Sequence, residues 1–225
     1  MTVAHREKIA TLSSFFKTSK GQYGEGDRFL GIYVPDNRRI SVGYASQPLE
    51  QIGKMLSSPE HEFRLAALIA LVKKFGNGKD EKQSKDIVDF YLNHAKHINN
   101  WDLVDLSAPQ ILGRYQLCHP TLPLLEKLSQ SSDLWERRMA IVGTLTLIRA
   151  GQYELTKSFS AKYLTHPEDL IHKATGWMLR EMGKGDEKEL ISFLDEYAAT
   201  MPRTALRYAI ERLSPEQRKH YLSQH

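Results

Sequence analysis

Hydrophobic residues recur along this chain with the spacing of an α-helix. Phe63, Ala66, Ala67, Ala70 and Leu71 follow one another at intervals of three or one and therefore form a single apolar face. The same spacing extends over most of the chain, and no segment shows a convincing strand pattern. The pattern predicts an all-α fold.

Capping residues divide the pattern into separate helices. Five polar segments have the composition of helix starts: Ser58–Glu60, Asn100, Ser132–Asp133, His166–Glu168 and Ser214–Glu216. Four glycines predict helix ends: Gly76, Gly78, Gly151 and Gly183. Pro109 predicts a kink or an end as well, because proline lacks the N–H that a helix interior needs.

A faint internal repeat becomes visible when four segments are aligned on Ala66, Ala140, Ala174 and Ala205. Leu103 falls at the midpoint of the longest interval, which gives about five units of roughly 31–37 residues. This period predicts a right-handed α-solenoid of HEAT-like helical hairpins over residues 48–225, with a concave face. The alternative is a set of ordinary amphipathic helices that share alanines by chance.

Residues 1–47 have a different character, although the whole chain, residues 1–225, is predicted to form one domain. An N-terminal helix is expected at about residues 3–18, followed by a glycine-containing loop over 22–27. The glycines of this loop do not match a nucleotide-binding pattern. Further on, Pro35 and Asp36 predict a turn.

A basic or imidazole side chain stands two positions before each aligned alanine, at Arg64, Arg138, His172 and Arg203. On the concave face of a solenoid, these side chains would form a stripe that meets the phosphates of a duplex. A charge at one repeat position is equally typical of the solvated edge of each helix.

Composition constrains the function only weakly. The net charge of +4 is spread evenly, with 17 basic against 15 acidic residues up to position 133, so no basic tail indicates DNA. The single cysteine, Cys118, excludes an internal disulfide and is interpreted as a buried thiol in a reducing cytoplasm. Residues 1–10 lack the apolar core of a secretory signal, and no apolar run is long enough to span a membrane.

The sequence gives little support for a metal site or for a catalytic nucleophile. His94 and His97 lie three residues apart on a predicted helix, but no His-Glu-x-x-His motif occurs. No Gly-x-Ser-x-Gly motif occurs either, and Cys118 beside His119 has no further supporting residue. We therefore expect no metal and no cofactor.

Trp101 and Asp105 are the most informative pair, because a spacing of four places an aromatic ring and a carboxylate on one helix face. The helix dipole is a sufficient explanation for Asp102 in the first turn, but less so for Asp105. An alternative interpretation makes Asp105 an ordinary surface aspartate, or one that pairs with Arg138 or Arg114 between repeats.

The chain resembles the AlkD-type DNA alkylation repair family, which are bacterial glycosylases built from HEAT-like repeats. Four segments carry the resemblance: residues 24–35, 100–105, 135–140 and 173–181. It implies a concave face that binds duplex DNA, and excision of cationic N3- or N7-alkylated purines such as 3-methyladenine and 7-methylguanine. It also implies a role in base excision repair. A solenoid that binds one duplex needs no partner subunit, so we expect a cytoplasmic monomer that associates with the nucleoid when it acts.

Residue by residue, the resemblance implies catalytic roles for Asp105, Trp101 and Trp177. The arginine that holds a DNA phosphate matches Arg138, with Arg137 as the alternative if the alignment is shifted by one.

Two further DNA-binding residues are expected. Arg180 stands three residues after Trp177 and can share its helix face, and Tyr23 lies in the less firmly matched N-terminal loop.

Two non-catalytic functions remain open. A HEAT-like module that binds nucleic acid or protein would use the same basic and aromatic residues. A protein-interaction scaffold would instead present an exposed apolar face. Large aromatics at helical spacing, such as Trp135 and Trp177, are also typical of a core.

Overall fold

The computed structural model describes residues 5–78 and 80–224, except for the side chain of Arg6. Its α-helices are α1 (Ile9–Phe15), α2 (Val34–Ser41), α3 (Leu49–Leu56), α4 (His61–Gly76), α5 (Glu81–Asn93), α6 (Trp101–Ala108), α7 (Arg114–Cys118), α8 (Leu124–Ser129), α9 (Leu134–Arg149), α10 (Glu154–Lys162), α11 (Asp169–Gly185), α12 (Glu187–Tyr197), α13 (Arg203–Ala209) and α14 (Pro215–Ser223). The described part of the chain contains no β-strand; an isolated parallel bridge joins Arg28 to Glu60. The all-α prediction is confirmed.

The predicted helix starts are also confirmed. Asn100 caps α6 by accepting a hydrogen bond from the Trp101 N–H, and Asp133 caps α9 through two N–H groups. Ser214 forms a reciprocal capping box with Gln217 at the start of α14. These short polar side chains satisfy N–H groups that the first turn of a helix leaves without partners.

The predicted helix ends are confirmed in part. Helix α4 ends at Gly76, and Gly151, with a φ of +74°, follows the end of α9. A π-helical turn begins at Pro109, where α6 ends. The prediction at Gly183 is wrong, because α11 continues to Gly185. A Cβ atom at Gly183 would collide with the Leu190 side chain, so this glycine lets α12 pack closely on α11.

The repeat alignment corresponds to helical pairs. The five aligned positions all lie on the second helix of a pair and are all buried: Ala66, Leu103, Ala140, Ala174 and Ala205. Small or apolar residues at these places allow neighbouring helices to approach, which is the packing of an α-solenoid of helical repeats.

Packing groups the chain into two compact units, Met1–Ile111 and Leu112–His225. In the first unit, α3 packs on α4, and α4 packs on the next second helix, α6. In the second unit, α9, α11 and α13 lie side by side, and α8, α10 and α12 cover them. Helices α7 and α9 are also in contact, and a Cβ atom at Gly113 would collide with the carbonyl of Gly143.

The N-terminal region departs from the predictions. In place of a helix over about 3–18, a short 3₁₀ turn precedes α1, which ends at Phe15; residues 3 and 4 lie outside the described residues. The predicted turn at Pro35 is wrong, because Pro35 lies in the first turn of α2. Proline is well tolerated there, since the first N–H groups of a helix have no partner within it.

Two further expectations concern single residues. Trp135 is 8% exposed and belongs to the core, as its helical spacing suggested. The interpretation of Cys118 as a buried thiol is wrong, since this residue is exposed at the last position of the short helix α7. Among the described residues, no helix is both long and apolar enough to cross a membrane.

Candidate functional site

The first turns of α6 present Trp101 and Asp105 from a firmly anchored helix. Both side chains are half-buried, whereas Leu103 and Val104 between them are fully buried. The helix therefore turns an apolar face into the unit and leaves the edge that carries Trp101 and Asp105 accessible to solvent.

Asp105 lies close to a buried phenol. Tyr91 is fully buried and shares a hydrogen bond of 2.8 Å with Ser107. Burial raises the pKa of the Tyr91 phenol, and the negative charge of Asp105 raises it further. The Tyr91 hydroxyl is therefore neutral, and it packs under the helix that carries Asp105.

The indole of Trp101 rests on aromatic side chains from the end of α1. Its ring is stacked on Phe16, with centroids 5.3 Å apart, and Phe15 meets it edge to face at 5.8 Å. Phe16 is in turn stacked on Phe29, and both contact the imidazole of His61. Aromatic pairs of this geometry hold a ring in one orientation.

A buried charge network lies beneath this aromatic stack. His61 bridges two carboxylates: Nδ1 lies 3.1 Å from Asp27 and Nε2 lies 2.8 Å from Asp102. Asp27 also forms a 2.6 Å ion pair with the buried Arg64 and accepts a hydrogen bond from Asn100. The network joins the N-terminal loop to the first turns of α4 and α6.

The network fixes the protonation of its members. Burial by itself would lower the pKa of His61, but hydrogen bonds to Asp102 and Asp27 raise it to about 9. Burial would raise the pKa of Asp27, yet His61 and Arg64 bring it below its usual value. At neutral pH, His61 is therefore an imidazolium between carboxylates.

A second buried carboxylate anchors the same loop. Glu62 is 4% exposed and accepts hydrogen bonds from the backbone N–H groups of Leu30, Gly31 and Ile32. Gly31 has a φ of +79°, and a Cβ atom there would collide with the carbonyl of His5. Only glycine therefore fits this turn.

Tyr23 lies in the loop that covers α1. It is half-buried, and its hydroxyl donates a 3.4 Å hydrogen bond to the carbonyl of Phe15. Tyr23 and Trp101 are both predicted site residues. In the first unit, Phe15 contacts each of them.

The second unit holds Trp177 and Arg180 on α11. Trp177 is half-buried, and its Nε1 donates a 3.2 Å hydrogen bond to Glu181. Arg180 forms an ion pair with Glu211, and Lys184 lies 2.6 Å from Glu181. The polar partners of Trp177 and Arg180 are thus charged groups that water can reach.

The two candidate arginines differ in exposure. Arg138 is 5% exposed and donates to the carbonyl of Leu170 at the start of α11. Arg137 is half-buried and donates to the carbonyl of Ser131 and to His166. Both guanidinium groups are held in place by contacts within the second unit.

The basic residues of the repeat alignment share one kind of contact. Each donates to a backbone carbonyl: Arg64 to Ser58, Arg138 to Leu170, His172 to His166 and Arg203 to Leu222. Arg64 additionally forms its buried ion pair with Asp27. The environment of Arg64 therefore favours a structural role over a phosphate contact.

Sequence reasoning missed the buried network and the aromatic stack. Asp27, His61 and Phe16 carry no motif, and their association depends on the loop folding onto α4. The one available signal was Arg64, since a charge on a helix face that also carries core residues needs a partner. In the described ranges, no group of three or more His, Cys, Asp or Glu side chains is arranged to hold a metal ion.

Comparisons with known proteins agree with this architecture. The model of the DNA alkylation repair enzyme family matches residues 2–213. A solved structure described as a predicted DNA alkylation repair enzyme from Enterococcus faecalis superimposes with a TM-score of 0.72. At 19% identity it covers 96% of this chain and 99% of its own, so it shares the fold. Comparison with curated proteins gives no match.

Proposed function

The chain belongs to the DNA alkylation repair enzyme family, and we propose that it is a monofunctional DNA glycosylase. Its substrates are cationic N3- and N7-alkylated purines in duplex DNA. The observation that carries the proposal is the pair of half-buried side chains, Trp101 and Asp105, one turn apart on α6. A carboxylate stabilises the cationic sugar that forms when such a nucleoside is cleaved, and an aromatic face adds a cation–π contact.

The chemistry follows from the charge of the lesion. Alkylation at N3 or N7 gives the purine a positive charge, which weakens its bond to C1′. When the C1′–N bond breaks, its electron pair neutralises the base, so no general acid is required. The sugar then carries oxocarbenium character, and water adds to C1′ with loss of a proton.

Asp105 is proposed to act on the sugar. A fixed carboxylate stabilises the developing positive charge and accepts a hydrogen bond from the attacking water. The capping of α6 by Asn100 and the contact of Asp102 with His61 hold the helix that carries Asp105. A group fixed in advance requires little reorganisation in the transition state.

The tryptophans are proposed to act through their ring faces. An electron-rich indole near a cationic sugar contributes about 1–2 kcal/mol when the pair is shielded from water. Trp101 is held for this role by its stacking on Phe16. The resemblance gives Trp177 the same role, and Trp177→Leu tests it separately.

A DNA phosphate is proposed to bind Arg138, with Arg137 as the alternative. Arg180 and Tyr23 are proposed as further DNA contacts. Arg138→Lys and Arg137→Lys distinguish the two candidates, because lysine keeps the charge but loses the planar fork that binds a phosphate at two points. The variant with the larger rise in Kd for duplex DNA identifies the phosphate ligand.

The second candidate function is a non-catalytic module that binds DNA. The position of Asp105 argues against it, because a carboxylate on a surface that only meets phosphates would repel them. The alternative is favoured if wild-type protein binds duplex DNA and releases no base above the spontaneous rate.

The test measures the release of methylated purines from methylated duplex DNA. Asp105→Asn keeps the shape of the side chain and removes its charge, and we expect a loss of about 100-fold in the single-turnover rate. Asp86→Asn is the matched control, since Asp86 is an exposed aspartate on α5 of the same unit. Equal rates for wild type and Asp105→Asn contradict the proposed role.

Substrate charge provides an independent test. The proposed mechanism relies on a leaving group that is already cationic, so neutral lesions such as uracil are expected to remain in place. Efficient release of uracil from duplex DNA by wild-type protein contradicts this mechanism.

A further inference from the structure

The end of α1 combines two exposed side chains that the proposed function leaves unused. Phe15 is 61% exposed although it is a large aromatic residue, and its ring meets Trp101 edge to face at 5.8 Å. Lys17, two residues later, is also exposed. Both lie in the first unit, and Phe15 contacts the helix that carries Asp105 through Trp101.

Lys17 adopts a backbone conformation that is unfavourable for lysine. Its φ is +55°, the sole positive φ outside glycine among the described residues. The conformation closes α1, because the Lys17 N–H donates to Ser14 and the Thr18 N–H donates to Ser13. Glycine is the usual residue at this position of a helix end, since a Cβ atom is strained there.

The surrounding loop enforces this conformation. The Gly24 N–H donates to the carbonyl of Lys17, and a Cβ atom at Gly24 would collide with the carbonyl of Phe16. The chain therefore retains a lysine at a place where glycine would fold at least as well. A strained residue that the fold retains is a reason to look for a function of its side chain.

The charges around Lys17 favour an anionic partner. Its ammonium has no ion-pair partner among the residues that the structure describes. Lys20 and Arg28 in the same loop are exposed as well. Of the two carboxylates there, Glu25 accepts the Gly21 N–H and Asp27 is neutralised within the buried network.

We propose that Phe15 and Lys17 form a binding edge for the DNA backbone, in which Lys17 pairs with a phosphate and Phe15 packs against an adjacent deoxyribose. The inference rests on the proposed function for its choice of DNA as the partner. A sugar face is apolar enough to cover an exposed phenyl ring, and the next phosphate supplies the anion. Contacts of this kind position the protein and carry no sequence information.

The experiment measures the Kd of an undamaged fluorescein-labelled 25-base-pair duplex by anisotropy over a range of salt concentrations. Lys17→Gly is expected to raise Kd roughly three- to tenfold and to reduce the slope of log K against log salt by about 0.9. Phe15→Ala is expected to raise Kd at every salt concentration and to leave the slope unchanged, since it removes no charge.

Three controls make the result specific. Lys17→Arg retains the charge and is expected to retain the slope. Lys54→Gln removes an exposed lysine that pairs with Glu50 on α3 and is expected to change neither quantity. The melting temperature of Lys17→Gly is expected to be unchanged or up to about 3 °C higher, because relief of strain offsets the flexibility of glycine.

The inference is overturned if Lys17→Gly keeps the wild-type slope, if Lys17→Arg loses it, or if Lys54→Gln reduces it equally. Because the duplex is undamaged, these outcomes are independent of base release. Wild-type release of methylated purines together with an unchanged Lys17→Gly slope retains the glycosylase and rejects the binding edge. A reduced slope for Lys17→Gly, together with no release of methylated purines by wild type, rejects the glycosylase and retains the binding edge.

Discussion

Trp101 of the first unit begins α6, Trp177 of the second unit lies in the middle of α11, and the two indoles have different supports. Each is half-buried on the second helix of a helical pair. Trp101 is stacked on Phe16, above a buried network of charges. Trp177 donates its indole N–H to Glu181, which also pairs with the exposed Lys184 and lies 4.0 Å from Arg180.

The same residue type can be rigid or adjustable, depending on the groups that support it. A buried network is costly to break, because a carboxylate left without its partner remains out of water. Glu181 is 18% exposed and its partner Lys184 is 47% exposed, so this pair can exchange contacts with water at a lower cost. We therefore expect Trp101 to be held in one orientation, and Trp177 to adjust its position when DNA binds.

The largest effect is expected from His61→Leu, which removes the bridge between Asp27 and Asp102. The buried Asp27 and the half-buried Asp102 each lose a hydrogen-bond partner, and we expect the free energy of unfolding to fall by about 3–5 kcal/mol. Urea denaturation of wild type and variant measures it. A loss below about 1 kcal/mol would show that the network does not anchor the loop.

Phe16→Ala tests the aromatic support of Trp101. Removal of a buried phenyl ring is expected to cost about 3 kcal/mol. The indole N–H signal of Trp101 in the proton–nitrogen NMR spectrum is expected to shift, while that of Trp177 stays in place. Movement of both signals would contradict the proposed independence of the two supports.

The pH dependence of stability tests the charge state of His61. Its pKa is raised from 6.5 to about 9 in the folded protein, so its contribution is fully present below pH 6.5. The contribution is lost as the pH rises towards 9, and we expect a decrease of about 3 kcal/mol. Urea midpoints at pH 6.5 and 9.5 measure the effect, which His61→Leu is expected to lack.

The smallest effect is expected from Glu181→Gln. This change removes the charge beside Trp177 but keeps a hydrogen-bond acceptor, and we expect a change below about 0.5 kcal/mol in the free energy of unfolding. The Trp177 indole signal is expected to shift and the Trp101 signal to remain. A loss as large as that of His61→Leu would mean that the two tryptophans have equivalent supports.

Local features of the fold could be predicted from the sequence. Asn100, Asp133 and Ser214 cap helices because a short polar side chain satisfies free N–H groups within three residues. The aligned alanines predicted the second helices of the pairs, because a small side chain in each repeat permits neighbouring helices to pack closely. The predictions at Gly183 and Pro35 are wrong, because Gly183 serves the close packing of α12 on α11 and Pro35 lies in the first turn of α2.

The capped helices and the shared face of Trp101 and Asp105 follow from side chains a few positions apart in the sequence, and the helical pairs follow from the repeated alanines. The contacts of His61 with Asp27 and Asp102, and the stacking of Trp101 on Phe16, are visible only in the folded chain. These residues are 34 or more positions apart, and burial is what makes their pairing necessary. The residue type alone does not distinguish a buried, paired charge from an exposed one.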